Sequence, residues 1–308
     1  MADVTAALVK ELREKTGAGM MDCKRALAET DGDIEGAVDW LRMKGLAAAA
    51  SKAGRVAAEG LIGVATRGPV GAIVEVNSET DFVARNNEFQ RFVRNLSALA
   101  LDGDGDIASL KEAPYPGTER AVEAELTHLI STIGENLVLR RMKRLTAGQG
   151  GVFSYVHNAL GSGIGKIGVI VALTSSILSD ELAVLGKQVA MHIAATCPLY
   201  LDIASVPKSA LDRERAVLSE QARATGRSEE IIEKMVDGRL RKFYEEVVLL
   251  EQVFVIDQKT KISRVVEQAA KAAGAPIRVT GFVRFALGEG IDRHRLDFAA
   301  EVAAQLKS

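Results

Sequence analysis

The stretch that decides the fold reads Ala72-Ile73-Val74-Glu75-Val76-Asn77-Ser78-Glu79-Thr80-Asp81-Phe82-Val83-Ala84-Arg85. It begins as a strand, because residues 72–76 are rich in β-branched side chains and follow a Gly-Pro turn signal. It then becomes a polar loop that nevertheless carries Phe82 and Val83. A helix follows, for which Asn87 is the expected N-cap and Gln90 the second member of a capping box. One face of that helix is apolar, with Phe89, Phe92, Val93, Leu96 and Leu99.

The loop between this strand and this helix has two interpretations. In the first, Asp81 caps a turn and Phe82 packs into the chain's own core, since large aromatic side chains are usually covered. In the second, an acidic and an aromatic side chain are presented together on a loop held by a rigid scaffold. Binding residues are often found on such loops.

The composition indicates a folded chain of 308 residues, long enough for two or more domains. Hydrophobic residues make up 47% and charged residues 26%, and the net charge of −2 gives no general attraction to nucleic acid. Cys23 and Cys197 form no disulfide framework and suit a reducing compartment. No apolar run has membrane-spanning length and no signal peptide is evident. We therefore expect a cytoplasmic protein that binds neither membranes nor nucleic acid directly.

The N-terminal region predicts three short helices over residues 3–44. Gly17 ends the first helix, and the second and third are expected at residues 20–29 and 33–44. Met20 and its neighbour Met21 suit an adaptable contact surface, although a core position is equally compatible for one of them. A compact three-helix unit of this size resembles a ubiquitin-associated-type domain, which is an interaction module. The Ala-rich residues 45–59 are equally compatible with a helical or partly ordered linker and with a fourth helix.

From residue 60 onwards the sequence predicts an α+β fold in which one unit with antiparallel strands is duplicated. Each copy has two strands, two helices and a third strand. In the first copy these lie at residues 61–66, 72–76, 88 onwards, 120–133 and 136–145, and in the second at residues 152–157, 168–174, 179–195, 261–273 and 279–286. The second copy has Ser175-Ser176-Ile177-Leu178-Ser179 where the first has the Asp81-Phe82 loop. The scaffold alone does not require that pair, which favours a binding role for it.

Residues 206–246, inserted in the second copy, are helical and charged, with a break at residues 225–228. They predict a coiled-coil hairpin whose apolar seam contains Leu211, Leu218, Ile231, Ile232, Met235 and Leu240. The hairpin is either a solvated structure closed on itself or an arm for docking or homodimerisation. A C-terminal helix is expected at residues 297–307. The predicted domains are residues 1–54, 55–150, 151–287 (with the hairpin at about 200–248) and 288–308.

Enzyme signatures fail when their structural context is tested. Residues 163–168 match the G-x-G-x-x-G string, but they lead into a strand rather than a helix, so we expect a flexible hairpin connection. Gly165-Lys166 is not a phosphate-binding loop, because Leu160 replaces its first glycine and Ile167 its Ser or Thr. No nucleophile elbow is present, and the histidines show no metal-ligand spacing with the cysteines. We therefore expect a binding or regulatory protein, not an enzyme, with no catalytic residue, metal or cofactor.

Two long motifs resemble the bacterial elongation factor Ts family. One comprises residues 75–85, and the other reads Leu12-Arg13-Glu14-Lys15-Thr16-Gly17-Ala18-Gly19-Met20-Met21-Asp22-Cys23-Lys24-Arg25-Ala26-Leu27. The order of parts is also similar to that family: a helical N-terminal domain, a duplicated core, an inserted coiled coil and a C-terminal helix. One departure is the connection over residues 157–166, which is longer than is common in the family and has Lys166 where Arg is frequent.

The resemblance implies a guanine-nucleotide exchange factor for GDP-bound elongation factor Tu, the GTPase that delivers aminoacyl-tRNA to the ribosome. It implies that Phe82 wedges between helices of the partner's G domain near the magnesium site and that Asp81 contacts a helix end there. The remaining residues that it implies at the partner interface are Thr80, Val83, Arg13, Met20, Lys24, Ile133, Gly134, Glu135 and His157.

Two other functions are compatible with the residues. One is a ubiquitin-associated-type interaction protein that binds through Met20 and Met21 without affecting a nucleotide. The other is a nucleotide-dependent enzyme that uses residues 163–168. Nucleotide binding by the isolated chain distinguishes the enzyme, and GDP release from elongation factor Tu distinguishes an exchange factor from a passive binder.

Overall fold

The computed structural model describes residues 4–292. It begins with helices α1 (Ala6–Thr16), α2 (Met20–Glu29) and α3 (Ile34–Lys52). The hydroxyl of the N-cap Thr5 accepts a hydrogen bond from the amide of Leu8 (3.3 Å). Helix α1 ends at Gly17, whose φ of 70° is a left-handed conformation that suits glycine. The three helices enclose a small apolar core that contains Leu12, Cys23, Ala26, Leu27 and Ala37.

Helix α3 is longer than the pattern predicts and takes in most of the Ala-rich stretch. Alanine has the highest helix propensity, so residues 46–50 favour continuation. The extension also packs on helix α6 (Val122–Ile133), since a Cβ placed on Gly45 would lie 3.8 Å from the Cβ of Ser131. Residues 45–52 are therefore helical, but they are the end of α3 and not the separate fourth helix that we considered.

The first core unit is an antiparallel sheet with helices on one face. Its strands lie in the order β3 (Val138–Thr146), β2 (Val70–Ser78), β1 (Glu59–Arg67) and β5 (Ile164–Gly165), and its helices are α4 (Asn87–Asp102), α5 (Ile107–Glu112) and α6. The predicted apolar face of α4 packs against the sheet, where Phe89, Phe92, Val93 and Leu96 are fully buried and Leu99 is partly buried.

The N-cap of α4 differs from the prediction. Asn86 accepts hydrogen bonds on Oδ1 from the amides of Glu88 (2.8 Å) and Phe89 (3.1 Å), so Asn86 and not Asn87 is the cap. Gln90 does not complete a capping box, because its side-chain amide donates to the carbonyl of Ala84 (2.9 Å). Asparagine is an equally good cap at either position, so the sequence alone cannot choose between the two.

The second core unit is built in the same way. Its strands lie in the order β4 (Gly150–His157), β6 (Ile167–Ser175) and β7 (Ile277–Ala286), and its helices are α7 (Asp180–Thr196) and α10 (Ile262–Ala273). Alternate residues of β6 and one face of α7 supply much of its core, including Val169, Val171, Leu173, Val189 and Ile193.

The two units also share backbone details. In each, the pairing between the second and third strands shifts register at the same aligned position, between Glu75 and Val76 and between Ala172 and Leu173. The first strand of each carries a glycine near its start, Gly60 (φ 119°) and Gly150 (φ 137°). A Cβ there would approach a carbonyl oxygen of the second strand to 2.2 and 2.1 Å, so only glycine fits. These shared features support the predicted duplication.

The two sheets pack against each other through Ile62, Ile73, Val152, Ile170, Ala172 and Phe285. The segment over residues 163–168 runs from the connection of the antiparallel β4–β6 hairpin into β6, so the expected hairpin is confirmed, while its flexibility stays a prediction. The connection also pairs within the first sheet, which was not expected. Ile164 and Gly165 pair with Gly63 and Ile62 of β1 and add a short edge strand, and β1 lies about one hundred residues away in the chain.

Helices α8 (Lys208–Arg223) and α9 (Glu229–Val247) form a hairpin between α7 and α10. Its apolar seam consists of Leu218, Ala222, Ile232, Val236 and Leu240, with Leu211 and Met235 partly buried. Ile231, which we expected in the seam, is 41% exposed because the inward positions follow the spacing 232, 236, 240. The coiled-coil geometry and the domain boundaries stay predictions, and the helix expected at residues 297–307 lies outside the described residues. None of the helices within residues 4–292 has the length and apolar character needed to cross a membrane.

Candidate functional site

The loop that follows β2 is tied at its start to the turn that follows α6. The Glu135 carboxylate accepts two hydrogen bonds from Thr80, one from the backbone amide (3.0 Å, to Oε2) and one from the hydroxyl (2.5 Å, to Oε1). In the opposite direction, Oε1 of Glu79 accepts a hydrogen bond from the backbone amide of Asn136 (2.6 Å). Two carboxylates, one from each segment, therefore connect the loop to the turn.

The turn that presents Glu135 is produced by the end of helix α6. Gly134 follows Ile133, the last helical residue, and adopts a φ of 87° while its amide donates to the carbonyl of Ile130 (3.0 Å). This left-handed cap reverses the chain direction directly before Glu135. Ile133 itself is partly buried against the first core unit, so it anchors the turn.

The far end of the loop is fixed by burial. Val83 is 4% exposed and packs in the core of the first unit, whereas Phe82 is 76% exposed. The Phe82 carbonyl accepts a hydrogen bond from the amide of Arg85 (3.0 Å), which begins a short 3-10 turn over Val83–Arg85. The interpretation that places Phe82 in the chain's own core is wrong, because Val83 occupies the inward position.

Asp81 lies beside Phe82 and is also exposed. The loop thus presents one carboxylate and one aromatic ring next to each other, on a backbone anchored at Thr80 and at Val83. An aromatic ring held in this way at the surface is suited to insertion into a cleft of another protein.

The N-terminal residues that the sequence singles out are also at the surface. Arg13 and Lys24 are exposed, and Met20 and Met21 are 55% and 77% exposed, so neither methionine belongs to the core. Helix α3 adds Met43 (63% exposed), which the sequence analysis missed. The sequence could have indicated that Met43 is exposed, because on an amphipathic helix it lies off the apolar face that Ala37 and Leu41 define.

Helix α6 connects the N-terminal helices to the loop. On its side, His128 lies next to Gly17, where a Cβ would stand 3.3 Å from the imidazole Nε2. Burial, with help from the charge of Arg120, lowers the pKa of His128, so the neutral form is favoured at this junction. At the C-terminal end of the same helix, the turn carries Glu135.

His157 lies in the second unit, at the exposed end of β4, whereas Phe82 follows β2 of the first unit. The hydroxyl of Tyr155 is 3.2 Å from Nδ1 of His157. The long connection that follows is closed at its base, since the amide of Lys166 donates to the carbonyl of His157 (3.2 Å). His157 is therefore a separate candidate contact.

The exposed groups at these places offer shape and charge for contact with another protein. Among residues 4–292, no three His, Cys, Asp or Glu side chains form a group that could hold a metal ion. The sequence analysis identified the exposed residues of the loop but missed the roles of Glu79 and Asn136, whose connection spans 57 residues of chain.

Comparisons with known proteins agree on one family. A family model described as Elongation factor TS matches residues 79–289. Elongation factor Ts of Rhodospirillum rubrum is 64% identical over 308 residues, which cover 100% of both chains. Elongation factor Ts of Paramagnetospirillum magneticum is 63% identical over 305 residues (99% of this chain and 98% of the relative), and that of Bartonella quintana is 55% identical over 304 residues (99% of each). With matches of this identity along its whole length, the chain belongs to the elongation factor Ts family.

Proposed function

We propose that this chain is a guanine-nucleotide exchange factor that promotes release of GDP from elongation factor Tu. Elongation factor Ts proteins act in the elongation step of protein biosynthesis and are known as exchange factors of elongation factor Tu. The observation that carries the proposal is the presentation of Phe82, an aromatic ring 76% exposed on a loop whose neighbouring residues are fixed. Rigid aromatic anchors of this kind dominate the binding energy of many protein interfaces.

We propose that the chain acts by displacing the groups of the partner that hold GDP. A magnesium ion and the backbone amides of the phosphate-binding loop hold GDP in GTPases of this class. Phe82 enters between helices of the partner's G domain near the magnesium site, and Asp81 contacts a helix end there. Moving the magnesium ion and the phosphate-binding amides lowers the affinity of the partner for GDP. No covalent bond is made or broken in this process, so the chain needs no catalytic residue of its own.

Exchange requires that the factor and the nucleotide weaken each other's binding. This coupling is reciprocal, so if the factor lowers the affinity for GDP by a given ratio, GDP lowers the affinity for the factor by the same ratio. A coupling of about 3 kcal/mol corresponds to a ratio of roughly 150. The factor therefore engages the GDP-bound form, stabilises the nucleotide-free complex and leaves when GTP enters.

The other exposed residues supply affinity. We assign a docking role to the N-terminal helices, as a ubiquitin-associated-like unit whose contacts include Arg13, Met20 and Lys24. Methionine side chains adapt to irregular surfaces, and the nearby cations suit an acidic partner. We also place the Ile133-Gly134-Glu135 turn and His157 at the interface, where Glu135 acts by holding Thr80 rather than by supplying affinity. Val83 is buried, so its proposed role is to anchor the loop.

The helical hairpin has a separate proposed role. We assign it coiled-coil geometry and a homodimer contact through its outer face. The support is that Val217 and Ile231 are 46% and 41% exposed on the two helices, outside the seam that closes the hairpin. Sedimentation velocity of the chain alone tests this role, because a monomer at all accessible concentrations contradicts it.

Release of a fluorescent GDP analogue from elongation factor Tu tests the main proposal. The chain at catalytic concentration should accelerate release, and the variant Phe82→Ala should not. A complex that forms without acceleration would contradict exchange and favour a passive ubiquitin-associated-type interaction protein. Binding of the labelled nucleotide to the isolated chain would instead favour the enzyme that the G-x-G-x-x-G string suggested.

A further inference from the structure

We propose that Glu79 and Glu135 are positioning residues for the exchange step, because together they set the orientation in which Phe82 meets the partner. This inference rests on the proposed function. The four residues Glu79, Thr80, Glu135 and Asn136 are called the latch here. Its two carboxylates come from different segments, and each accepts a hydrogen bond from the segment that carries the other.

The latch is partly shielded from water, which strengthens charge-assisted hydrogen bonds. The Glu79 side chain is 21% exposed and Asn136 is 4% exposed. The side-chain amide of Asn136 also donates to the carbonyl of Arg55 (2.8 Å), and the Arg55 guanidinium lies 3.5 Å from Glu79. The latch therefore joins the loop, the turn after α6 and the segment that leads from the N-terminal helices into β1.

The position of the latch leaves little freedom for Phe82. Thr80 is fixed on one side by Glu135 and by the hydroxyl of Ser78, which donates to the Thr80 carbonyl (2.8 Å). Val83 is fixed on the other side by burial. Only Asp81 and Phe82 lie between these anchors. Holding their backbone in place before binding avoids the entropy loss of ordering a free loop when the partner binds.

The hydrogen bonds of Glu135 favour a role in positioning the loop over a direct contact with the partner. Each oxygen of its carboxylate accepts a hydrogen bond from Thr80 (2.5 and 3.0 Å). We therefore assign the effect of Glu135 on the partner to its hold on Thr80 and the loop.

Stimulated GDP release measures the role of the latch. Glu135→Ala should lower kcat by about tenfold, and Thr80→Val, which keeps the hydrogen bond from the backbone amide, should lower kcat by less. KM should stay unchanged within about twofold in both variants, because docking surfaces elsewhere are untouched. Glu135→Gln, which keeps one acceptor, should recover part of the loss. The double variant Glu135→Ala/Thr80→Val should fall no further than Glu135→Ala alone, since both changes remove one link. Glu112→Gln, at the end of α5, is the matched control and should behave as the wild type.

Amide hydrogen exchange in the free chain gives a readout that needs no partner. Glu135→Ala should accelerate exchange at the Thr80 amide, and Glu79→Ala at the Asn136 amide, each by at least about tenfold and without effect on the strands of the core. Unchanged exchange at both amides overturns the latch. Loss of GDP release in Glu135→Ala together with unchanged exchange at its Thr80 amide also overturns it, because Glu135 would then act by direct contact. If the wild-type chain does not accelerate GDP release, the proposed function fails, and amide exchange still decides whether the latch holds the loop.

Discussion

Phe82 and Val83 are neighbours in the chain, yet the first is 76% exposed and the second is 4% exposed. The turn that starts at Val83 directs its side chain into the core of the first unit and leaves the aromatic ring outside. Two adjacent positions thus carry a surface role and a core role, and substitutions at the two positions separate binding from stability.

Phe82→Ala should abolish most of the stimulated GDP release while leaving the free energy of unfolding nearly unchanged. Loss of an interface anchor lowers the rate constant by about 30-fold, which corresponds to about 2 kcal/mol. Val83→Ala should do the opposite, with a loss of roughly 1–3 kcal/mol of stability and near-normal exchange by the folded fraction. Thermal unfolding and GDP release of both variants check this. An early-melting Phe82→Ala that exchanges normally while folded would contradict the wedge.

Asp81→Asn should give a milder loss than Phe82→Ala. The amide keeps the shape of the side chain and removes only its charge, which contributes roughly 0.3–1 kcal/mol when it faces a helix N-terminus. We therefore expect stimulated GDP release to fall by about twofold to fivefold at low salt. The difference from wild type should shrink at high ionic strength, because exposed charges are screened. A loss that does not depend on salt would contradict an electrostatic role.

Deleting residues 1–50 should weaken complex formation with elongation factor Tu more than it lowers the rate at saturating factor. The exposed Met20, Met21 and Met43 lie in this region, whereas Phe82 and the latch do not. Titration of GDP release against factor concentration separates the two effects. Because Ala49 packs against the first core unit, Met20→Ser/Met21→Ser is the control that keeps this packing. Partner affinity that is unchanged in the truncated protein would rule out the docking role.

Replacing residues 206–246 with a short flexible linker should leave a cooperatively folded protein. The hairpin has its own apolar seam, which includes Leu218, Ile232 and Leu240. At its base, the amides of Leu199 and Tyr200 donate to the carbonyl of Val247 (2.9 and 3.0 Å), so the two chain ends stay close without the arm. Circular dichroism and calorimetry check this expectation. A non-cooperative transition would mean that the arm is part of the core.

The order of most helices and strands was predictable because each depends on local periodicity, although α5 was not predicted. The face of α4 and the two hairpins of the duplicated unit follow from residues close together in sequence. Strand β5 was not predictable, since Ile164 gains a partner only when the two sheets meet. The choice between Asn86 and Asn87 as the N-cap was not predictable either. Asparagine caps a helix equally well at both positions, so the surrounding fold decides between them.

The buried carboxylate of Glu75 was also beyond prediction from the sequence. Glu75 stands in a strand that otherwise reads as apolar, and its carboxylate is fully buried. It pairs with Arg140 (3.1 Å) and Arg141, and it accepts a hydrogen bond from the amide of Gly288 (2.8 Å). These partners lie 65, 66 and 213 residues away in the chain. The sequence could identify the exposed members of the site, but not the long-range polar contacts that hold its strand and loop.

A buried histidine in the second unit gives the chain a stability that depends on pH. His192 lies within 3.0 Å of Oε1 of Gln252, and its Nδ1 accepts a hydrogen bond from the amide of Val255 (3.3 Å). These partners assign the proton of the neutral ring to Nε2. Burial lowers the pKa of His192, although the hydrogen bond to Gln252 opposes this shift. Protonation of Nδ1 would break the bond from Val255.

The folded state should therefore lose stability as the solution becomes acidic. Because the folded pKa of His192 lies below the unfolded value of about 6.5, the unfolded chain binds the proton more readily. The stabilisation is complete above about pH 6.5 and is lost as the pH falls through the folded pKa, by about 1.4 kcal/mol for each unit between the two values.

The pKa of His128 is lowered in the same direction, so His128→Gln is needed to separate the two contributions. Urea unfolding at pH 7.5 and 5.5 should show a decrease that survives His128→Gln and the exposed-site control His157→Gln but is reduced in His192→Gln. A decrease of the same size in His192→Gln would show that His192 is not its source.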